Sequence, residues 1–537
     1  MISFDYLTLK AFFKENETFF RGARLQKIQQ PTRRDFVFTL RNQSETKKLY
    51  INIDPQVYHV CFLDDETAQK RNISIPKKPP MFCMLLRKYL EGFRIVDVKV
   101  PHYERILELY FESYDELNEK INLCLAIELM GKYSNVILYN ASTGIIIGCA
   151  HNVGSEKSRD RELAGTLPYI YPPKQDKSDI LRYHGEVIYD NLNEDFMGIS
   201  LALQKMFKKN QTPLEKIKDY LELKSEINPA LGDDEYCVYS ELIDKYEICS
   251  SVSDVIDKYY SNIQEKIIKR ALKQKLRGIL YPKYKKQKQS VDKISQQLQK
   301  KDKAGKYKKY ADLIMSNLYN IENYSDKAEV FDWENNTSLT ISLNKELSAK
   351  ENARNYYELY TKSKNAKEKL EILKENLSGQ ISYLEQILYT VEGADSLKIL
   401  FEILTECEDA GFISHSENSI KDKDISVETV DIGGFKVYIG KNNRQNDLIV
   451  SKLSSPDDIW FHTQNCPGSH ILLKIPDSNK PNEDVIYECC KLAKKYSSAS
   501  KSTKIGVIYT RRKFLKKPPK TNLGYVIYKN EKEIIVS

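Results

Sequence analysis

A heptad repeat in the second half of the chain constrains the fold more than any other sequence feature. Four apolar residues recur there every seven positions: Leu370, Leu377, Leu384 and Val391. The alternate positions of the same seam are filled by Leu373 and by either Ile387 or Leu388. This spacing places one apolar seam along a helix, and such a seam needs a second helix to pack against. The sequence therefore predicts a coiled-coil strand.

The partner strand lies earlier in the chain and is less regular. Its apolar residues are Ile263, Ile267, Leu272, Leu276, Ile279, Val291, Ile294 and Leu298. Pro282 falls within this arm and is expected to kink or interrupt it, because proline lacks a backbone N–H. Between the two arms, residues 329–343 have a strand–turn–strand pattern. We expect a long antiparallel coiled coil over residues 253–410, with a small β element near its middle or tip.

Positive charge is concentrated in two stretches. Residues 283–309 hold eleven lysines and two aspartates, a local net charge of +9, whereas the whole chain carries +8. Residues 501–520 hold eight lysines or arginines and no acidic residue. A single stretch of this kind is more often a solvated helix face, but two of them on a nearly neutral background favour binding to a polyanion. A globular helical bundle would fit the heptads equally well, yet it would struggle to keep eleven lysines apart.

Both flanks of the coiled coil alternate strands with helices, so the chain is predicted to be a multidomain α+β protein. Strands are expected over 25–31, 35–40, 48–53, 94–100, 105–112, 121–130 and 135–140, and a helix over 80–90. In the C-terminal part we expect strands at 435–439, 470–474, 505–509 and 525–528, and an amphipathic helix over 482–497. The predicted domains are 1–178, 179–252 (small and helical), 253–410 and 425–537.

Composition excludes several classes of protein. No apolar run is as long as a membrane span, and Asp5 and Lys10 interrupt the apolar stretch at the N-terminus, so we expect no membrane segment and no secretory signal. The ten cysteines form no CxxC pair and no zinc-ligand pattern, which indicates buried thiols in a reduced, cytoplasmic compartment. Neither a P-loop nor a catalytic triad spacing is present. We therefore expect no metal, no cofactor and no enzymatic activity.

A block near the C-terminus, Ile439–Lys474, carries an unusual set of polar and aromatic side chains beside glycine-rich turns. The candidates for an RNA-docking surface are Asn442, Asn443, Arg444, Trp460, His462 and His470. Amides, an arginine and aromatic rings suit recognition of a planar anionic ligand such as RNA. The alternative is a surface loop system with one buried tryptophan. For the two histidines, a structural role or a hydrogen bond to RNA is favoured over acid–base catalysis.

This block and three N-terminal motifs together resemble the NFACT family. The N-terminal motifs are PPMFCMLLRK at 79–88, ELMGKYSN at 128–135 and the segment 163–173. The resemblance covers nearly the whole chain and is least specific in the coiled coil. It implies a glycosylase-like N-terminal α/β domain (NFACT-N), a helix-hairpin-helix-like helical domain, a long antiparallel coiled coil and a C-terminal α/β NFACT-R domain. A glycosylase of that fold needs a proline amine at position 2, where this chain has Ile2, so glycosylase activity is not expected.

The family resemblance also implies a function in ribosome-associated quality control. Such proteins bind the large ribosomal subunit, through its rRNA and proteins, beside an obstructed peptidyl-tRNA. They recruit alanyl-tRNA for template-free alanine tailing, which marks the nascent chain for degradation, while the ribosome forms the peptide bonds. The expected contacts with ribosomal RNA are Lys283, Lys285, Lys286, Lys288, Lys300, Lys301, Lys303, Lys306, Lys308, Lys309, Arg511, Arg512 and Lys513.

Seven N-terminal positions are assigned to tRNA binding by the same resemblance: Asp5, Glu104, Arg105, Glu128, Met130, Lys132 and Asn135. Glu104 stands where the family has aspartate before the arginine, which adds one methylene to that acidic side chain. Without the family, Glu104 and Arg105 would be an exposed charge pair, and residues 128–135 a β-turn with an Asn cap. The alternative functions are a surface fibronectin-binding adhesin and a general RNA-binding scaffold.

Overall fold

The computed structural model describes residues 4–63, 76, 78–114, 120–154, 156, 161–300, 304–415, 425–476, 480–519 and 521–537. The chain divides into two compact units, Met1–Lys266 and Ile267–Ser537, and the division falls inside one long helix. Sheets occupy both ends of the sequence and long helices the middle, so the predicted multidomain α+β class is confirmed. None of the helices in these ranges is long and apolar enough to cross a membrane.

The first unit contains two antiparallel sheets in which each strand pairs with its neighbour in sequence. The four-stranded sheet comprises β1 (Arg24–Gln29), β2 (Asp35–Asn42), β3 (Glu45–Asn52) and β4 (His59–Leu63). The five-stranded sheet comprises β5 (Ile95–Lys99), β6 (Ile106–Tyr114), β7 (Lys120–Glu128), β8 (Asn135–Asn140) and β9 (Ile146–Cys149). All seven strands predicted for this region are confirmed, whereas β4 and β9 were not predicted.

Two helices accompany these sheets. The first, α1 (Tyr6–Phe20), was not predicted and begins at the N-cap residue Asp5. The second, α2 (Met81–Leu90), confirms the predicted helix and follows Pro80, whose fixed φ suits a helix start. The rest of the unit holds α3 (Leu201–Lys209), α4 (Leu214–Glu222) and a small sheet of β10 (Ala230–Leu231), β11 (Tyr236–Cys237) and β12 (Glu247–Ile248).

A helical hairpin begins with the long helix in which the two units divide and continues through the first part of the second unit. Its elements are α5 (Val252–Lys300), α6 (Ala304–Ser316), the strands β13 (Lys327–Asp332) and β14 (Thr337–Ser342), and α7 (Ala349–Gly393). Cross-arm hydrogen bonds join Arg277 to Glu392 at 2.7 Å, Tyr284 to Glu385 at 3.0 Å and Gln287 to Gln380 at 2.7 Å. One partner rises in number as the other falls, so the arms are antiparallel, and the predicted β element lies between them.

The apolar seam is buried over only part of its length. Leu384, Ile387 and Val391 pack with Leu276 and Leu280 of the other arm, and with the following helix α8 (Leu397–Asp409). The placement of Leu373 in the seam was wrong, because its side chain is 47% exposed. The heptad pattern thus continues in the sequence beyond the part of the seam that a partner covers.

Pro282 does not interrupt the first arm, contrary to the sequence-based expectation. Helix α5 is continuous across it from Val252 to Lys300. Pro282 lies on the exposed side of the helix, as does Gly278 four residues earlier. Proline has no N–H to donate to the carbonyl of residue 278, and on an exposed face a water molecule can donate to that carbonyl instead.

The C-terminal domain is built on a six-stranded antiparallel sheet with the order β15-β16-β18-β17-β19-β22. Its strands and helices are β15 (Glu428–Ile432), β16 (Phe435–Ile439), α9 (Asn443–Leu448), β17 (Ile459–Thr463), β18 (Ile471–Leu473), α10 (Glu483–Lys495), β19 (Ile505–Arg511), β20 (Leu515–Lys516), β21 (Ile527–Tyr528) and β22 (Lys532–Val536). Helix α10 confirms the predicted amphipathic helix, and Asn482 caps it. It covers one face of the sheet, where Phe461, Ile471 and Val507 are buried. The opposite face buries Trp460, Leu472 and Ile508.

Candidate nucleic-acid interface

A groove of about 1410 Å³ lies in the first unit, and we call it the N-terminal groove. Its walls combine apolar and basic side chains: Met81, Phe82 and Leu85 with Arg33, Arg34, Lys132 and Arg161. Met81 is 91% exposed, which is unusual for a methionine and leaves an apolar surface beside the cations. Apolar and aromatic surface suits the bases of a nucleic acid, and cations suit its phosphates. Burial, followed by the charges of Arg34 and Arg33, lowers the pKa of His151 in the same wall.

Glu128, one of the predicted tRNA-binding residues, is fully buried at the end of β7. Arg161 donates to Glu128 from both ends of its guanidinium group, and one of these bonds, from Nη1 to Oε1, is 3.0 Å long. The Tyr169 hydroxyl donates to the same Oε1 at 2.9 Å. The carboxylate therefore positions Arg161 in the groove wall, and it presents no exposed surface itself.

The other predicted residues of this turn divide into two kinds. Asn135 is buried, and its side chain donates to the His151 carbonyl at 2.8 Å and accepts from the His151 N–H at 3.1 Å. Lys132 is exposed, Met130 is half-buried, and both line the groove. Asn135 thus holds the backbone of the wall, whereas Lys132 is available to a ligand. Their assignment to tRNA stays a prediction.

Asp5 is buried and caps helix α1. Its carboxylate accepts from the Thr8 N–H at 2.9 Å and from the Ser200 hydroxyl at 2.8 Å. Burial raises the pKa of Asp5, while the bonds from Thr8 and Ser200 and the charge of Arg105 oppose that rise. Asp5 and Arg105 both line a smaller cavity of about 280 Å³. The structure therefore brings two of the predicted residues together around one cavity.

Glu104 and Arg105 follow a strained turn. Tyr103 has a φ of +61°, in the left-handed region that a tyrosine rarely adopts, and its hydroxyl donates to Asp179 at 2.5 Å. The Arg105 guanidinium donates to the Tyr58 hydroxyl at 3.1 Å and to the Phe4 carbonyl at 3.4 Å. Burial raises the pKa of Glu104, against the charge of Arg105. Backbone strain of this kind concentrates at functional sites.

The lysines of the helical hairpin lie mostly in solvent. Lys283, Lys285, Lys286, Lys288, Lys306 and Lys308 are exposed. Lys309 is less available, because it pairs with Asp332 at 2.5 Å and Glu334 at 3.3 Å. Lys301 and Lys303 lie outside the described residues, and the same holds for the side chain of Lys300.

The amides of the C-terminal block do not form the exposed docking surface expected from the sequence. Asn442 donates to Glu402 at 2.7 Å, and Gln445 donates to the same carboxylate oxygen at 2.8 Å. Asn443 donates to Glu406 at 2.8 Å. These side chains are buried because helix α8 places its carboxylates against α9, so the amides join two helices. Arg444 is also largely covered and pairs with Asp409 at 2.8 Å.

The aromatic residues of the block surround a second groove, of about 480 Å³, which we call the aromatic groove. Trp460 is 1% exposed, and its ring lies parallel to that of His462 with centroids 5.7 Å apart. His470 meets the Trp460 ring edge-on at 5.2 Å. Burial lowers the pKa of His462, and burial together with the neighbouring His462 places the pKa of His470 well below its usual value. Both imidazoles are therefore neutral near pH 7.

The basic segment at 511–513 is partly committed to internal contacts. Arg511 and Lys513 pair with Asp457 at 3.3 and 2.9 Å. Arg512 donates to the Val450 carbonyl at 2.9 Å and to the Ser454 hydroxyl at 3.0 Å, which holds the chain after β19. Arg511 and Lys513 remain the more exposed pair and stay candidates for RNA contact.

Several groove residues were not predicted from the sequence. Arg33 and Arg34 lie just after Pro31, and two adjacent arginines beside a turn are a signal that could have found them. Arg161 carries no such local signal, because only the fold brings it to Glu128. Tyr525 of the aromatic groove is more than half exposed, but the sequence pattern around it predicted only a strand and gave no sign of a ligand site.

Comparison with known proteins accounts for nearly the whole chain. The family model described as NFACT N-terminal and middle domains matches residues 5–425. The model described as NFACT protein RNA binding domain matches residues 427–530. Together they span both units of the structure.

The relatives agree with these matches. The chain is 27% identical over 568 residues to the Rqc2 homolog RqcH of Bacillus subtilis, covering 100% of this chain and 98% of that protein. It is 27% identical over 551 residues to the Rqc2 homolog RqcH of Streptococcus suis, with the same coverage of 100% and 98%. Among solved structures, the N-terminal part of the fibronectin/fibrinogen-binding protein from Streptococcus suis is 26% identical and covers 48% of this chain and 100% of its own, with a TM-score of 0.43. The chain belongs to the NFACT family, is RqcH-like along its full length, and carries the family's RNA-binding domain at its C-terminus.

Proposed function

We propose that this protein acts in ribosome-associated quality control. It binds the large ribosomal subunit that carries an obstructed peptidyl-tRNA and recruits alanyl-tRNA for template-free alanine tailing. It works in the cytoplasm as a binding factor, and the ribosome forms the peptide bonds. The observation that carries this proposal is the row of exposed lysines along the hairpin of an RqcH-like chain with an NFACT RNA-binding domain.

The lysines support binding to ribosomal RNA on electrostatic grounds. An extended hairpin keeps like charges apart in solvent, where they cost little, and it can place several of them against phosphates at once. Each phosphate contact releases a counterion, so the affinity falls steeply as salt rises. The N-terminal groove, with the exposed side chains of Arg33, Arg34 and Lys132, supplies a second cationic surface for tRNA.

Sedimentation with purified large ribosomal subunits tests the first part of this proposal. The triple variant Lys283→Ala, Lys285→Ala and Lys286→Ala should lower the affinity and flatten its dependence on salt. The matched control removes three exposed lysines from the other arm, Lys362, Lys364 and Lys369. Glu358, Glu368 and Glu371 lie in the same segment, so the positive charge there is partly balanced. If the full chain does not sediment with large subunits even at low salt, or if both triple variants behave alike, the proposed ribosomal surface is wrong.

Crosslinking followed by sequencing of the bound RNA tests the second part. Enrichment of tRNA(Ala) over bulk tRNA is expected, and uniform recovery of all RNAs would instead indicate a general RNA-binding scaffold. The variant Arg105→Ala should abolish alanine tailing while large-subunit binding is retained. Arg105→Lys keeps the charge but replaces the planar guanidinium whose Nη1 donates to Tyr58 and Phe4, so partial activity is expected. Equal loss of tailing and of subunit binding in Arg105→Ala would contradict the separate functions assigned to the two units.

A further inference from the structure

The aromatic groove has the dimensions and walls of a small-ligand site. Its volume of about 480 Å³ falls within the range of sites that enclose a small molecule. The C-terminal sheet forms one wall through Trp460, Thr463 and Ile508, and helix α7 adds Tyr383 and Gln386. Gln386 fixes this junction, because its amide accepts from the Gly468 N–H at 2.9 Å and donates to the Gly468 carbonyl at 2.8 Å. The groove is therefore built by two elements that are firmly joined.

Three polar atoms in these walls are buried without a hydrogen-bond partner in the described part of the chain. They are Nε1 of Trp460, Oγ1 of Thr463 and Nδ1 of His470, and all three residues line the groove. Burying a donor or acceptor without a partner costs free energy, so folded proteins rarely leave several such atoms together. A ligand that offers acceptors and donors in one plane would satisfy them.

The charge of the groove indicates what kind of ligand it takes. No lysine or arginine occurs among the described residues that line it, and Glu385 is the charged residue of the wall. The two imidazoles are neutral, because burial lowers the pKa of each. A phosphate or another anion would find no compensating charge there. The ligand that fits is uncharged and polar at its edges.

The aromatic side chains indicate that this ligand is flat. Tyr525 is 53% exposed at the groove, and Tyr383 and Tyr528 are half-buried beside it. The Tyr528 ring is tilted by 34° to that of Trp460, with centroids 5.9 Å apart. Exposed tyrosine faces beside buried indole and imidazole edges are the combination that holds unstacked bases in single-stranded RNA sites.

From these observations we propose that the aromatic groove of the C-terminal domain binds one unstacked base of a single-stranded RNA segment. The base stacks on the exposed tyrosine and bonds through its polar edge to the indole, the hydroxyl and the imidazole. The backbone phosphates stay outside the groove, in solvent or near the basic segment at 511–513. This inference rests on the proposed function, because it gives the RNA-binding domain a particular site for RNA.

Tryptophan fluorescence can report on this groove directly. The chain has two tryptophans, and Trp333 is the exposed one, in the turn between β13 and β14. The variant Trp333→Phe leaves Trp460 as the single tryptophan of the full chain. A short single-stranded RNA should quench its fluorescence, since the edge of the base would accept a hydrogen bond from the indole Nε1. The same RNA without bases, and heparin, should leave the fluorescence unchanged although both are polyanions.

Thr463→Val in the Trp333→Phe background separates binding from structure. The change removes the hydroxyl but keeps the shape, and it should weaken RNA binding about fivefold to tenfold while the protein remains at least as stable. Tyr525→Ala, an exposed position, should weaken binding by a similar factor and does not disturb the core. Thr361→Val, on an exposed face of α7, is the matched control and should have no effect.

The outcomes distinguish this inference from the proposed function. Quenching by abasic RNA or heparin, or full affinity in both Thr463→Val and Tyr525→Ala, would overturn the base site. Sedimentation with large subunits at low salt is measured on the same variants. If Thr463→Val or Tyr525→Ala loses the fluorescence response but still sediments with large subunits, the base site is supported as a separate contact. If RNA quenches the fluorescence of a protein that does not sediment with large subunits, only the proposed ribosomal function is contradicted.

Discussion

The N-terminal groove and the aromatic groove differ most in charge. The first presents Arg33, Arg34 and Lys132 beside an exposed methionine, whereas the second presents neutral imidazoles, an indole and tyrosines. A nucleic acid offers a charged backbone and uncharged planar bases, and different surfaces recognise the two. We infer that the two grooves recognise different parts of a nucleic acid, the N-terminal groove contacting phosphates and the aromatic groove a base.

In both regions, polar residues of the sequence motifs are buried and hold neighbouring elements in place. Glu128 and Asn135 brace the wall of the N-terminal groove from inside. Asn442 and Asn443 brace helix α9 against the carboxylates of α8. In both regions the motif residues are mostly buried supports, and the surface open to a ligand comes from their exposed neighbours.

The largest expected effect concerns the brace of the N-terminal groove. Glu128→Ala removes the carboxylate that pairs with the largely buried side chain of Arg161. Removing one partner of a buried ion pair lowers the free energy of unfolding by about 3–5 kcal/mol. Because a multidomain chain need not unfold in one step, hydrogen exchange of the β7 and β8 amides in urea is the suitable measurement.

The matched control for Glu128 is another glutamate of the same sheet. Glu112 pairs with Lys120 at 2.8 Å, but both side chains are about half exposed. Glu112→Ala should therefore change the free energy of unfolding by less than about 1 kcal/mol. Comparable losses in the two variants would show that Glu128 is not a brace, and the shared property of the two regions would not hold.

The second prediction concerns the brace of the C-terminal domain and its dependence on pH. Burial raises the pKa of Glu406 to about 7, with Asp409 acting in the same direction, whereas Asn443, Tyr383 and Arg444 oppose the rise. The folded state then holds a proton that the unfolded state releases near pH 4.5, so the contribution of Glu406 to stability falls as pH rises from about 4.5 to about 7.

Glu406→Gln tests this sign. The amide cannot ionise, so the variant should lose that part of the pH dependence and be more stable than the parent at pH 8, by up to about 3 kcal/mol. Urea unfolding of the C-terminal domain, followed by Trp460 fluorescence in the Trp333→Phe background at pH 5 and pH 8, measures the effect. A parent protein whose C-terminal domain is equally stable at both pH values would contradict the assigned shift.

Much of the fold follows from local patterns, whereas the sites depend on distant contacts. Strands β1 to β3 and β5 to β8, and helices α2 and α10, were predicted from alternation and amphipathic spacing, because one buried face leaves a clear period. Helix α1 was missed, since its sequence was considered mainly as a possible signal segment. Pro282 was misjudged because its effect depends on which side of α5 it faces.

The candidate site was less predictable for a physical reason. Whether Asn442 and Asn443 are exposed depends on Glu402 and Glu406, which lie about forty residues earlier and reach them only through the packing of two helices. The four-residue spacing of those glutamates on an apolar helix was the available signal, since carboxylates on a buried face need polar partners. The family resemblance indicated the domain but not which of its amides are internal.

The smallest expected effect separates charge from structure within the N-terminal groove. Lys132→Ala removes an exposed cation, so the free energy of unfolding should change by less than about 0.5 kcal/mol. If Lys132 contacts one phosphate of tRNA, the slope of log affinity against log salt should decrease by about 0.7–0.9. Lys120→Ala is the matched control, because Lys120 lies on the same sheet at the opposite end of β7 from Glu128, about 27 Å away along the strand. An equal decrease in the control would mean that tRNA is attracted by the overall charge of the protein and not by a site in the N-terminal groove. The two grooves would then differ only in net charge, and the N-terminal groove would not be a specific phosphate site.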